Sequence, residues 1–214
     1  MIEQKKTAPP NAKIFFEDSE TKMRYRRIVA GLALPGVRPG FLAVVAEEWK
    51  KDPTLQVRIY RVLAEAEDLD FNALFRKAID FRGYFNVQEF LGDSENKPMM
   101  DILRLFNDGV RERDIPGLYL IPAPFIKEEM SFYYYANMVK DHLKQDRKTL
   151  YLGEGSKVGR YLQELPREDI LRASVLDFPA IAAVGYAVSY LDSWQPSEND
   201  NWRAGMKQGS WRSL

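Results

Sequence analysis

Cysteine is absent from the chain, so it carries no disulfide framework, no thiol nucleophile and no thiolate zinc site. Histidine occurs once, as His142, which removes histidine-rich metal sites and leaves a triad with a single imidazole candidate. Surplus charge is missing as well. Lysine and arginine number 31 and aspartate and glutamate 31, so the chain cannot coat nucleic acid by bulk positive charge, and any phosphate contact has to come from a local patch. No run of about 18 apolar residues occurs. The opening "MIEQKKTAPPNAK" has no apolar signal core, so the expectation is a chain without a membrane segment, at work in the cytoplasm. At 214 residues it suits one domain with tails.

Several catalytic signatures are missing too. A nucleotide motor needs G-x-x-x-x-G-K-[ST], but in "GEGSKVGR" (153–160) Lys157 follows Ser156 rather than a glycine. "GLALPG" (31–36) departs from the dinucleotide fingerprint and precedes a second strand instead of a helix. Neither a G-x-S-x-G elbow nor an H-E-x-x-H helix nor an EF-hand loop is present. What remains is carboxylate chemistry.

What is there reads as an α/β domain. Residues 1–22, with Pro9-Pro10 and many charges, read as a flexible lead-in, and order is expected from Met23. "RYRRIVAGLALP" (24–35) and "GFLAVVAEEW" (40–49) are β-rich runs joined by "GVRPG", a hairpin signal. "LQVRIYRVLAEAE" (55–67) gives a third strand. In "DFNALFRKAIDFRGYF", Leu74, Ala78 and Phe81 fall at helical spacing behind Asp68 and Asp70 as possible N-caps. A strand "VQEFLG" (87–92) follows, then the helix "KPMMDILRLFND" with Pro98 in its first turn. "GLYLIPAP" (117–124) is a further strand. The order βββαβαβ implies a mixed sheet covered by helices.

Later, "SFYYYANMVKDHLKQ" puts Phe132, Tyr135, Ala136, Val139 and Leu143 on one stripe, with His142 beside it. That stripe reads as core rather than as a stacking platform for bases. "KTLYLG" suggests an edge strand and "SKVGRYLQEL" a short helix. "DFPAIAAVGYAVSYLD" (177–192) reads as a long apolar helix capped by Asp177, whose alanines and Gly185 should let it lie close to the sheet. From 193 to 214 the text is polar and carries Trp194, Trp202 and Trp211 among Arg203, Lys207 and Arg212. It reads as a tail, either plain or docking onto a partner.

In "FLGDSENKPMMDILRLF" (90–106) an apolar run stops at Gly92, Asp93 follows, and a helix begins shortly after. Asp93 either holds a metal ion or caps that helix. Sheets of this order bring the end of the first strand, the end of the fourth and the face of a late helix to one mouth. Carboxylates placed there can share two divalent cations that activate water and stabilise a departing oxygen. "GDSENKPMMDILRLFN", "LYLIPAP", "KTLYLG", "RYLQEL" and "DFPAIAAVGYAV", taken in this order over residues 24–192, resemble the ribonuclease H-like nuclease domain of tailed-phage terminase large subunits, which cut concatemeric DNA during packaging.

The resemblance implies a ribonuclease H-like fold over 23–192, double-stranded DNA as substrate, and Mg2+ or Mn2+ if the chain is active. Asp93 would be the catalytic metal ligand. It also places Ala33 where the family's first acid stands and Ala182 where its last one stands, so cleavage is expected to be impaired or lost. Of the neighbouring acids, Glu47 and Glu48 read as a solvated strand end, Glu89 lies inside a strand, and Asp177 is five residues from Ala182, roughly 7 Å along a helix. The alternative is a non-catalytic DNA-binding or docking module of a packaging complex. Arg24, Arg26 and Arg27, or Lys140, Lys144, Arg147 and Lys148, would then contact phosphates, unless they are ordinary solvated faces. The tail would grip a separate packaging ATPase or a portal protein.

Overall fold

The computed structural model describes residues 1–6, 14–36, 38–49, 57–92, 97–123, 131–144, 146, 148–164 and 178–193. Order begins at the N-terminus rather than at Met23, which corrects the expectation of a flexible lead-in. Ile2–Lys6 forms β1 and Ile14–Asp18 forms β2, paired antiparallel with Ile2 opposite Asp18. Ile2, Phe15 and Phe16 are buried. The charges that suggested solvation neutralise each other, because Glu17 accepts hydrogen bonds from Lys5 and, at 2.8 Å, from Arg24 Nε.

Next come β3 (Arg24–Ala33), β4 (Gly40–Glu48) and β5 (Tyr60–Leu69), each antiparallel to the one before. The third strand starts later than expected, at Tyr60. Helix α1 (Phe71–Phe85) is capped by Asp70, whose carboxylate accepts from Ala73 N at 2.8 Å, and it ends at Asn86 in the left-handed region. Asp68, the other expected cap, instead has φ 58° in β5.

Then follow β6 (Glu89–Gly92), α2 (Lys97–Arg111), β7 (Leu120–Pro122), α3 (Ser131–Leu143), β8 (Leu150–Tyr151), α4 (Lys157–Glu164) and α5 (Pro179–Ser193). Together the strands make an eight-stranded mixed sheet. β4 lines one edge of β3, while β2 and β6 share the other, β2 at Arg24 and Tyr25 and β6, running parallel, at Val29 to Leu32. β7 adds parallel to β6 after the α2 crossover, and β8 adds parallel to β5.

Alternation along β3 and β4 divides the core. Ile28, Ala30, Leu32, Leu42 and Val44 meet Leu74, Phe75 and Ala78 of α1 and Leu103 of α2. Val29, Ala33, Phe41, Ala43 and Val45 meet α5, with Tyr135 and Val139 of α3 and Val158 of α4. Burial on both faces explains why these two strands read as nearly continuous apolar runs. Asn107 closes the α2 side: its amide donates to Leu118 O and accepts from Leu118 N, both at 2.7 Å, standing in for a strand partner ahead of β7.

Helix α5 is the central piece of its face, and most of its residues are buried. The expectation that Gly185 admits it to the sheet needs correcting. Gly185 faces α3, where a Cβ would stand 2.6 Å from Tyr135 Cβ, and it is Gly31 on β3 that admits the helix, since a Cβ there would fall 1.8 Å from the Ala183 carbonyl oxygen. Among the described residues no helix is long and apolar enough to cross a membrane.

Candidate functional site

The end of the sheet singled out by the sequence is built from the close of β3 and of β6. Leu32 is level with Gly92, so Ala33 and Gly92 leave the sheet at the same end. Helix α5 lies over β3 here with its Ala183 carbonyl above Gly31, which brings Ala182 to this end as well. Ala33 is 5 % exposed and Ala182 is fully buried, both inside one apolar cluster with Leu91, Phe41 and Val184. Asp93 and Asp177 lie outside the described residues.

Methyl groups offer no lone pairs. Ala33 and Ala182 therefore offer a cation no ligand, and the described residues at this end do not by themselves make up a two-metal centre, whose Mg2+ or Mn2+ needs several protein oxygens to give up hydration water. Among the described residues no group of three or more His, Asp or Glu is placed to hold a metal ion. Glu47, Glu48 and Glu89 cannot make up the deficit. Glu47 is level with Arg27, six residues and roughly 20 Å of strand from Ala33.

That opposite end of the same face is where the charged groups gather. Arg27, Glu47 and Tyr60 sit side by side on β3, β4 and β5, all facing α5. Arg27 is 4 % exposed; its Nη2 donates to both Glu89 oxygens at 2.6 and 2.5 Å and to Tyr190 Oη of α5 at 3.0 Å, with the guanidinium 5.0 Å above the Tyr190 ring. Glu47, expected at a solvated strand end, is instead 4 % exposed, with Arg58 Nε 3.8 Å away. Tyr60 Oη donates to Asp192 Oδ1 at 2.5 Å. His142 Nε2 lies 2.9 Å from Asp192 Oδ2, and its Nδ1 lies 2.7 Å from Thr149 Oγ1. Arg58 donates to the carbonyls of Leu191 and Asp192, closing the last turn of α5.

Burial sets the charge states. It pushes the Glu47 carboxyl above the ordinary range, and the nearby Arg26, Arg58 and Arg27 offset this only in part. Glu47 Oε2 is buried with no hydrogen-bond partner among the described groups. Burial would also raise Asp192, but the hydrogen bonds from His142 and Tyr60 win and hold it below the usual carboxylate range. The Tyr60 hydroxyl is pushed far up by burial and by Asp192, so it stays a donor.

Thr149, His142 and Asp192 form a hydroxyl–imidazole–carboxylate chain, the order used for nucleophile activation. Catalysis of that kind also needs a cavity for the reacting carbonyl and donors aimed at its oxygen. Among the described residues, the cleft of about 300 Å³ is lined by other residues, from β4, β5 and the turn before α4. The chain's effect is to join the ends of α3 and α5 to the starts of β5 and β8.

The expected phosphate-binding groups divide. Arg24 pairs with Glu17 and stacks over Phe15 at 4.9 Å. Arg27 is corrected from a phosphate contact to a buried group neutralised by Glu89. Arg26 is partly exposed on the same strand. Lys140 and Lys144 lie on or just beyond α3, with Lys144 2.5 Å from Asp141, and Lys148 lies over Tyr151 at 5.0 Å. Arg147 is outside the described residues, as is the tail from Trp194 onward.

The members of the charged row lie far apart in the sequence, and none of them stands out when taken alone. The signal was phase: Arg27 keeps step with Val29, Glu47 with Val45 and Glu89 with Leu91, all positions of the buried face. A charge in phase with buried apolar positions calls for an opposite charge on the neighbouring strand. No family model, curated protein or solved structure matches the chain, so the reading of this site rests on its own geometry.

Proposed function

We propose that the chain is a ribonuclease H-like domain of the terminase-nuclease kind that takes part in viral DNA packaging in the host cytoplasm without cutting DNA itself. The observation that carries this reading is the pairing of Ala33 with a fully buried Ala182 at the mouth, where helix α5 rests on Gly31. The fold class supports it. Three successive antiparallel strands are followed by β6 and β7, each added in parallel after a helix, which is the arrangement that would bring the family's acids together.

In this reading the scaffold is kept and the metal chemistry is lost, so no step through Mg2+ or Mn2+ is derived. Duplex DNA is held by backbone charge alone, through Arg24, Arg26, Lys140, Lys144, Arg147 and Lys148. A separate packaging ATPase or a portal protein is the partner, reached through residues 193–214.

The experiment is to incubate the full chain with supercoiled plasmid in Mg2+ and in Mn2+, beside a mobility shift on linear duplex at increasing salt. The expected outcome is a shift that weakens with salt and no nicking. Nicking that disappears in Asp93→Ala would restore an enzyme. The absence of both nicking and a shift would remove DNA from the account.

A further inference from the structure

Beyond Arg61, β5 has no strand on its outer side among the described residues, because β8 pairs with it only at Tyr60 and Arg61. Beside that edge the Gly153–Ser156 turn and the start of α4 enclose a cleft of about 300 Å³. Phe41 and Val62, 2 and 9 % exposed, form a small apolar floor. Glu65, Glu67 and Glu154 stand against one cation, Lys157.

A phosphate reading of this glycine-bearing turn fails on geometry. Glu65 already accepts from Ser156 Oγ at 2.5 Å and from Lys157 N at 2.8 Å, so the chain's own carboxylate fills the anion position at the start of α4. Lys157 Nζ is held 2.5 Å from Glu67. A surplus of acid beside an apolar surface remains, which suits a cation carried next to an aromatic group.

The sequence contains such a segment. Residues 202–214, "WRAGMKQGSWRSL", carry Arg203, Lys207 and Arg212 and no acid, and both Trp202 and Trp211 directly precede an arginine. The cleft is at the small end of binding-site volumes, enough for one indole and a neighbouring group. Helix α5 delivers the segment to the right side of the sheet, since Asp192 meets Tyr60 at the very start of β5. From Tyr60 to Glu67 is seven strand residues, roughly 23 Å. The eight residues 194–201 can extend to about 26 Å.

We infer that the cleft between β5 and the Gly153–Ser156 turn is an intramolecular docking site for the basic, tryptophan-bearing segment 202–214 of this same chain. One indole enters the cleft over its apolar floor, and the arginine after it lies beside Glu67 and Glu154. This does not depend on the packaging reading; a partner that grips the same segment has to displace it first.

Because the chain has no cysteine, single thiols can be placed without background. Nitroxide labels on Ser210→Cys and on Arg160→Cys, an exposed position of α4, report the separation in the full-length chain by pulsed electron resonance. The docked segment gives one short, narrow distance, which broadens when Glu154→Lys is added and again when Arg203→Glu and Arg212→Glu are added. Glu154 is exposed and stands apart from the Glu65 cap, so its reversal leaves the fold in place, as a thermal melt checks. A broad distribution in the unreversed chain, or a narrow one indifferent to all three charge reversals, overturns the inference. So does a narrow distance that vanishes on dilution with unlabelled chain, because the occupant is then a second copy.

Discussion

At Gly31 helix α5 lies so close to β3 that a Cβ would fall 1.8 Å from the Ala183 carbonyl, whereas two turns later the side chains of Arg27, Glu47 and Tyr60 fit between the same helix and the same sheet. The first end is closed by removing side chains. The second is filled with paired charges. A buried charge needs volume and a partner, and among the described residues the Gly31 end provides neither, because its neighbours there are Ala33, Ala182 and Ala183. An acid at position 33 or 182 would lie unpaired in that apolar cluster unless a cation came with it. Close seating of α5 and a metal mouth therefore compete for the same space.

The contrast can be broken most severely at Gly31. Gly31→Ala forces α5 off β3 against backbone rather than a movable side chain, and a loss above about 4 kcal/mol in a denaturant melt is expected. A loss under about 1 kcal/mol would mean the helix is not seated there.

At the other end, Arg27→Met leaves Glu89 buried beside an apolar chain and should lose about 3–5 kcal/mol. Adding Glu89→Gln removes the stranded charge and recovers part of that loss, and a double-mutant cycle reads the coupling. Additive losses would show that the pair does not hold the row together.

Asp192→Asn removes a charged acceptor shared by Tyr60 and His142, and about 1–2 kcal/mol is expected near neutral pH, held to that range because the carboxylate is 39 % exposed. The sign with pH follows from its depressed pKa. Its contribution is complete above the ordinary carboxylate range and is lost as pH falls through the folded-state value, so wild type and variant converge in acid. Stability measured between pH 7 and pH 3 checks this, and a constant gap would contradict it.

Glu47→Gln sharpens the comparison by a smaller amount and in the opposite direction. Because burial raises the Glu47 pKa, ionisation there works against the fold once pH passes the ordinary carboxylate range. The glutamine variant should be unchanged or up to about 1 kcal/mol more stable at pH 7, and its advantage should fade as wild-type Glu47 takes up a proton. Destabilisation at pH 7 would mean that the surrounding arginines depend on its charge.

Most of the domain's order was legible because strong periodicity survives tertiary packing. β3, β4, α1, β6 and α5 fall where apolar spacing and Asp70 or Pro179 put them. β1 and β2 escaped, because Lys5, Glu17 and Arg24 look solvated until strand pairing brings them together. The pairing of Ala33 with Ala182 at one end was expected only from the resemblance to terminase nuclease domains, since apolar spacing does not single out these two alanines. The charged row was not legible, since its members are spread from Arg27 to Asp192 and only sheet register makes them neighbours. Gly185 was assigned to the wrong surface for a related reason: a small residue in a helix signals close approach without saying to what.

Manganese binding to the full chain, followed by electron resonance as Mn2+ is titrated, tests the closed mouth directly. The spectrum of free hydrated Mn2+ should account for all added metal until concentrations of about 10⁻⁴–10⁻³ M, as expected where too few carboxylates replace the hydration shell. A saturable micromolar site that is lost in Asp93→Ala would show that oxygens converge there after all, and the chain would have to be read as a metal-dependent nuclease.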